Sequence, residues 1–234
     1  MANLVLVHGA WGGAWGFHKL RRPLAAAGHQ VFTPSLTGIG DRQHLTSPEV
    51  GLGTHITDLV NLVTFEDLDP IVLLGFSYGG MVVTGALAEI GDRVSDLIFL
   101  DALVPDDGDS AESLIGVEAS TMAGASGWLI PANPRDLLTP EETEWSQSRR
   151  SPQPIRTFTE SVSLAAPLVD RSFSLTYIKA TADPDEGESS AFWRAAEVAQ
   201  ASDRWRYEEI ATNHMIPMME PDRLVEILLD IAGP

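Results

Sequence analysis

The stretch Gly75-Phe76-Ser77-Tyr78-Gly79-Gly80 constrains this chain most. The apolar run Ile71-Val72-Leu73-Leu74 leads into it, and Met81-Val82-Val83-Thr84-Gly85-Ala86-Leu87-Ala88 leads out. The first run reads as a buried strand and the second as a helix, so the chain must turn sharply between them. Gly75 and Gly79 flank Ser77 in the G-x-S-x-G pattern of a nucleophile elbow. Such a turn strains the residue at its apex, and its neighbours must lack bulk. The serine hydroxyl then stands clear of the sheet at a helix N-terminus, where free N–H groups favour developing negative charge.

A sheet that presents such an elbow needs further parallel strands, and the chain supplies them. Leu4-Val5-Leu6-Val7 opens a first strand over 3–7, followed by a glycine-rich loop and a helix over 15–27 that Gly28 stops. A second strand over 30–33 ends at Pro34, which cannot donate to a ladder. After a polar loop over 35–53, residues 54–63 place apolar side chains at helical spacing. Val94-Ser95-Asp96-Leu97-Ile98-Phe99-Leu100 is a fourth strand ending at Asp101. A fifth strand is Leu175-Thr176-Tyr177-Ile178-Lys179-Ala180, followed by a helix over 190–200. A sixth strand over 204–210 and a last helix over 221–231 complete the series. This alternation predicts an α/β fold: a mostly parallel six-stranded sheet with helices on both faces and ligands at the strands' carboxyl ends.

Between 104 and 170 the alternation stops. Prolines, serines and acidic residues accumulate there with Trp128 and Trp145, and only pieces such as 140–148 look helical. The length exceeds that of a plain loop. The expected division is a core of 1–103 and 171–234 with a small helical cap over 104–170.

Ser77 needs a general base, because a free hydroxyl is a poor nucleophile at neutral pH. His214, in Ala211-Thr212-Asn213-His214-Met215-Ile216-Pro217, lies between the last strand and the last helix and can reach over the elbow. The acid that orients it should follow a late strand. Asp183 is the expected acid, with Asp185, Glu186 and the more distant Asp101 as rivals. The order Ser77, Asp183, His214 is serine, acid, histidine. Two backbone N–H groups, of Tyr78 and Ala10, should form an oxyanion hole. Gly9 lets the loop at Ala10 approach, while His8 braces that loop by hydrogen bonds. Gly9-Ala10-Trp11-Gly12-Gly13 does not fit a dinucleotide-binding loop, and no acidic residue marks the end of the second strand. No cofactor is expected.

Composition narrows the chemistry further. The 234 residues contain no cysteine, which excludes disulfides, thiolate metal sites and a cysteine nucleophile. The six histidines lack metal-binding spacing, so no metal is expected. A net charge of −18 without basic clusters argues against nucleic acid and anionic membranes. No apolar run reaches membrane-spanning length. The start has neither a basic region nor a small-residue cleavage site, which predicts a cytoplasmic protein, although a mature secreted form would read the same.

Leu4-Val5-Leu6-Val7-His8-Gly9-Ala10-Trp11 with Trp15, the elbow, and Asn213-His214-Met215 resemble the α/β-hydrolase fold superfamily. Within it the chain is similar to small bacterial esterases related to plant methyl esterases and hydroxynitrile lyases. Leu36-Thr37-Gly38-Ile39-Gly40-Asp41-Arg42 is also similar to a loop of that bacterial group. The resemblance implies Ser77, Asp183 and His214 as the triad, Ala10 and Tyr78 as oxyanion donors, and cofactor-free ester hydrolysis. The lyase branch carries threonine where this chain has Gly9 and lysine where it has Met215. Many relatives have histidine at the position of Phe76, and the cap is shorter than in the plant members.

The resulting expectation is a serine carboxylesterase acting through an acyl-enzyme. Gly9, Phe76 and Trp128 are expected to contact substrate, and small or medium neutral esters suit an acidic protein. The alternatives are a hydroxynitrile-lyase-like carbon–carbon lyase and a non-catalytic small-molecule receptor. The reading leaves room for a homodimer.

Overall fold

The computed structural model describes residues 1–183, 187 and 189–233. Its six-stranded sheet consists of β1 (Asn3–Val7), β2 (Gln30–Phe32), β3 (Ile71–Phe76), β4 (Val94–Leu100), β7 (Ser174–Ala180) and β8 (Trp205–Ile210). The spatial order is β2-β1-β3-β4-β7-β8, and every neighbouring pair is parallel. Strands in such a sheet are covered on both sides, and all six residues of β3 are accordingly buried.

Alternate residues of the central strands feed two cores. Val5, Leu73, Leu97 and Tyr177 face α2 (Leu52–Phe65), α3 (Gly79–Ile90) and α8 (Ala191–Gln200). Leu6, Leu74, Ile98 and Ile178 face α1 (His18–Ala26) and α10 (Pro221–Ala232). Each fully buried aliphatic side chain stabilises the fold by about 1.5–3 kcal/mol, so the sheet is rigid where its carboxyl ends carry the site. The helix expected over 15–27 begins as a 3-10 turn, Ala14–Phe17, before α1. The short helix α9 (Ile216–Met219) precedes α10.

Residues 104–170 leave the sheet after β4 and rejoin it at β7. They form α4 (Ala111–Ile115), α5 (Ala119–Met122), α6 (Pro140–Gln147) and α7 (Arg156–Thr159), with an antiparallel ribbon of β5 (Leu129–Ile130) and β6 (Gln153–Pro154). This segment is fastened to the loop after β1. Trp11 donates its backbone N–H to Gln153 Oε1 at 2.7 Å and its indole N–H to the Ile130 carbonyl at 3.1 Å. Its carbonyl accepts from the Ser151 N–H. Trp15 and Trp145 meet edge to face at 5.6 Å.

The chain moves from β1 outward to β2, then crosses back to β3 on the other side of β1. Such a switch point opens a crevice at the carboxyl ends of the two strands. Val7 and Gly75 are the last paired residues there. The loop at His8 and the elbow at Ser77 therefore leave the sheet side by side. Among the described residues, no helix is long and apolar enough to cross a membrane.

Candidate active site

Ser77 occupies the left-handed region with φ +56°, a conformation that costs a non-glycine residue about 1–3 kcal/mol. The surrounding backbone holds it there. The Ser77 N–H donates to the Leu100 carbonyl, and its carbonyl accepts from Gly80 and Leu103. A Cβ at Gly79 would lie 2.6 Å from the Val7 carbonyl oxygen, and one at Gly80 would lie 2.0 Å from that of Leu103. The glycines after the serine are therefore required by backbone contact with β1 and with the chain leaving β4.

His214 comes off the loop after β8, as expected, and its Nε2 lies 2.9 Å from Ser77 Oγ. Its ring is packed between Phe76 and Phe192, each with its centroid 4.9 Å away. Its Nδ1 lies 2.6 Å from Asp101 Oδ2. An ionised carboxylate can only accept, so Nδ1 carries the proton and Nε2 of the neutral ring accepts from the serine.

The acid at the imidazole is thus Asp101, and the expectation of Asp183 is overturned. Asp183 Oδ2 accepts the backbone N–H of His214 at 2.9 Å and pairs with Arg135 at 3.4 Å. It holds the loop rather than the ring. The reason is the sheet order, which places β4 beside β3, so that a residue ending β4 stands next to the elbow. Asp101 itself has φ +40°, and its N–H donates to the Ile178 carbonyl at 2.7 Å. The rivals Asp185 and Glu186 lie outside the described residues.

Asp101 is fully buried. Burial alone would raise its carboxyl, but the hydrogen bond and charge of His214 and the Lys179 ammonium outweigh it and hold the group below the usual carboxylate range. Lys179 Nζ is 2.8 Å from Asp101 Oδ1, also donates to the Ala180 carbonyl, and stands 4.5 Å over the Trp193 ring. A lysine inside a buried strand demands an anion. This charge in an otherwise uncharged strand is the sequence signal for a buried acid at a neighbouring strand end, which is Asp101.

Gly9 lies against Ser77, since a Cβ there would come within 2.8 Å of Ser77 Cβ. The N–H groups of Ala10 and Tyr78 find no acceptor among the described residues. Two further histidines fix this corner. His8 donates Nδ1–H to the Gly9 carbonyl at 2.8 Å, while its Nε2 accepts from Leu36. Burial drives its pKa down to about 4. His55 donates from Nε2 to the Thr37 carbonyl, and its Nδ1 accepts from the Tyr78 hydroxyl at 2.9 Å. Its pKa is likewise lowered by burial to about 4. Burial also pushes the Tyr78 phenol well above its ordinary value.

A cavity of about 180 Å³ opens over Ser77 and His214. Its apolar wall includes Trp11, Phe76, Phe158 and Phe192, and Arg135 and Arg150 also border it. Trp128 does not line it, contrary to expectation. Its carbonyl accepts from Ile155 within the ribbon, and the ribbon reaches the site's wall through Ile130, whose carbonyl holds the Trp11 indole. A larger cleft of about 330 Å³ beside Leu168 and Trp205 contains, among the described residues, no nucleophile with a base.

A strand-1 loop, a strained serine elbow and a histidine after the last strand define the α/β hydrolases, and residues 4–227 match the model of the alpha/beta hydrolase family. The chain belongs to that family. It is 32% identical to the carbendazim hydrolyzing esterase of Nocardioides sp. (strain SG-4G), an alignment covering 97% of this chain and 98% of that one. It is 26% identical to salicylic acid-binding protein 2 of Nicotiana tabacum, covering 98% and 96%. An extracellular α/β-hydrolase from a Paenibacillus species superposes with a TM-score of 0.85 at 22% identity, covering 100% of this chain and 99% of that one.

Proposed function

We propose that the protein is a carboxylic-ester hydrolase that works through an acyl-enzyme, with Ser77 as nucleophile, His214 as base and Asp101 as the orienting acid. The observation that carries this reading is the unbroken chain from Ser77 Oγ to His214 Nε2 at 2.9 Å and from His214 Nδ1 to Asp101 Oδ2 at 2.6 Å. Ser77 Oγ attacks the ester carbonyl as its proton passes to Nε2. The Asp101 carboxylate stabilises the imidazolium that results. The carbonyl oxygen, now negative, takes hydrogen bonds from the Ala10 and Tyr78 N–H groups, whose lack of a protein acceptor supports that role. The C–O bond to the alcohol then breaks, and His214 gives its proton to the departing oxygen. A water molecule repeats the sequence on the acyl-enzyme, releasing the acid and restoring Ser77.

The segment 104–170 serves as the cap over this reaction, as its attachment to the oxyanion loop through Trp11 supports. Met215, where the lyase branch carries lysine, lines the pocket and brings no charge to it. The test is hydrolysis of 4-nitrophenyl butanoate by wild type and Ser77→Ala. A loss of about 10³-fold or more in kcat is expected. Equal rates would overturn the assignment.

A further inference from the structure

The wall of the cavity over Ser77 carries a charge that the ester-hydrolase reading does not use. Among the described residues no aspartate or glutamate lines that cavity, yet two arginines do, in a chain whose net charge is −18. Arg135 is paired with Asp183. Arg150 has no such partner among the described residues. Its Nε–H is shut off from solvent without an acceptor, and no carboxylate of the described residues pairs with it. Its guanidinium lies over the Trp11 ring at 5.9 Å, the outer limit of a cation–π contact. Its neighbour Arg149 shows how an arginine of this segment looks when it serves the fold. Arg149 Nη1 donates to the Trp145 carbonyl at 2.8 Å, and its guanidinium stacks 4.1 Å over that ring.

Arg150 is also held in place. Its N–H donates to Gln147, and the next residue, Ser151, bonds to both the Trp11 carbonyl and the Gly40 N–H. The guanidinium is therefore carried on backbone tied to the oxyanion loop. Burial, followed by repulsion from Arg135, lowers its pKa to about 10, so it stays charged at neutral pH. A half-buried cation facing an apolar cavity is costly unless an anion enters with it.

We propose that this cavity takes an ester bearing a second, ionised carboxylate, which Arg150 grips from beside the nucleophile. This rests on Ser77 being the esterase nucleophile. A carboxylate matches the guanidinium fork in a two-point contact that few other groups allow. Ile115, Met122 and Phe192 supply the apolar surface for the carbon skeleton. The volume of about 180 Å³ is below the roughly 300–1,000 Å³ of pockets for drug-sized ligands, so the substrate is small. Half-esters of short dicarboxylic acids and esters whose alcohol part carries a carboxylate share this chemistry. The neutral esters expected from the chain's overall acidity give way here to the local sign of the charge.

The test compares two pairs of esters with the wild-type enzyme, corrected for spontaneous hydrolysis. The first is mono-4-nitrophenyl glutarate against 4-nitrophenyl hexanoate, and the second is 4-butanoyloxybenzoate against its primary amide. In at least one pair the anion should be preferred about 10–100-fold in kcat/KM, mainly through KM, as a charged hydrogen bond allows. Arg150→Gln should cut that preference at least tenfold, and Arg150→Lys should keep part of it. The pair that responds shows whether the carboxylate sits on the acyl or the alcohol side. Equal rates within both pairs, or preference for the neutral member, overturn the proposal. A second arm needs no turnover: glutarate should raise the melting temperature of Ser77→Ala, and Arg150→Gln in that background should abolish the rise. No shift with glutarate overturns the anion site, whereas a shift without hydrolysis of any ester overturns the esterase reading alone.

Discussion

Two aspartates touch His214, and they touch different parts of it. Asp101 ends β4, is fully buried, and meets the ring at Nδ1. Asp183 lies beyond β7 and meets the backbone N–H of the same residue through Oδ2, the oxygen that also pairs with Arg135 of the 104–170 segment. One carboxylate sets the tautomer and aim of the imidazole, while the other sets where its loop sits. An acid near a catalytic histidine is therefore identified by the atom it faces, because both could be drawn on the same residue from sequence alone.

The sharpest way to break this comparison is Asp101→Asn. An amide can offer its NH₂ group to Nδ1 and trap the wrong tautomer, so kcat should fall about 10³–10⁴-fold. Lys179 would then be a buried cation facing an amide, and losing one partner of a buried pair costs about 3–5 kcal/mol. The double variant Asp101→Asn/Lys179→Met separates the two effects. Its melting temperature should recover relative to the single variant while kcat stays low. If kcat recovers with stability, Asp101 acts through folding and the assignment fails.

The imidazoles form a parallel contrast. His214 faces a carboxylate, whereas His8 and His55 face carbonyls and hydrogen-bond donors in the core. Burial lowers the folded pKa of each of the latter from 6.5 to about 4. The unfolded chain therefore takes up protons first as pH falls. Stability from each neutral ring is fully present above about pH 6.5 and is lost progressively down to pH 4. At pH 5 the loss from one such histidine is about 2 kcal/mol. His55→Gln can still donate to the Thr37 carbonyl but cannot titrate. The gap in unfolding free energy between wild type and this variant should narrow by that amount between pH 7.5 and pH 5, as measured by denaturant titration. A constant gap would mean that His55 is not neutral in the fold for the reason given.

Much of the fold was legible because its signals are local. The apolar runs at 4–7, 71–74 and 97–100 could only be buried strands, and the G-x-S-x-G turn could only sit where a strand meets a helix. Ser77, His214, Gly9 and Phe76 all lie where chain order placed them. What could not be read was lateral: which strand ends stand together. Chain order alone does not say that β4 lies beside β3, nor that the hairpin at 129–154 offers Ile130 rather than Trp128 to the site. Lys179, a charge within a buried strand, and the Arg149-Arg150 pair, in a segment otherwise rich in acid, were visible as anomalies. Their partners, or the lack of one, depend on residues distant in sequence.

Asp183→Asn is the mildest intervention and closes the comparison from the other side. Asparagine keeps a side-chain oxygen for the His214 N–H, so the loop retains its anchor. What it loses is the negative charge facing Arg135; the Asp183 side chain is only 2% exposed, but Arg135 is 22% exposed, so solvent screens the pair in part. The cost should stay near 1 kcal/mol in stability and within tenfold in kcat, on the same ester and in the same buffer as Asp101→Asn. Asp183→Ala removes the acceptor as well and should fall further, since it leaves a backbone donor without a partner. A drop of 10³-fold or more in Asp183→Asn, with Asp101→Asn nearly unharmed, would exchange the two roles. The ring would then turn to the later strand during turnover, and the 2.6 Å contact with Asp101 would describe only the resting enzyme.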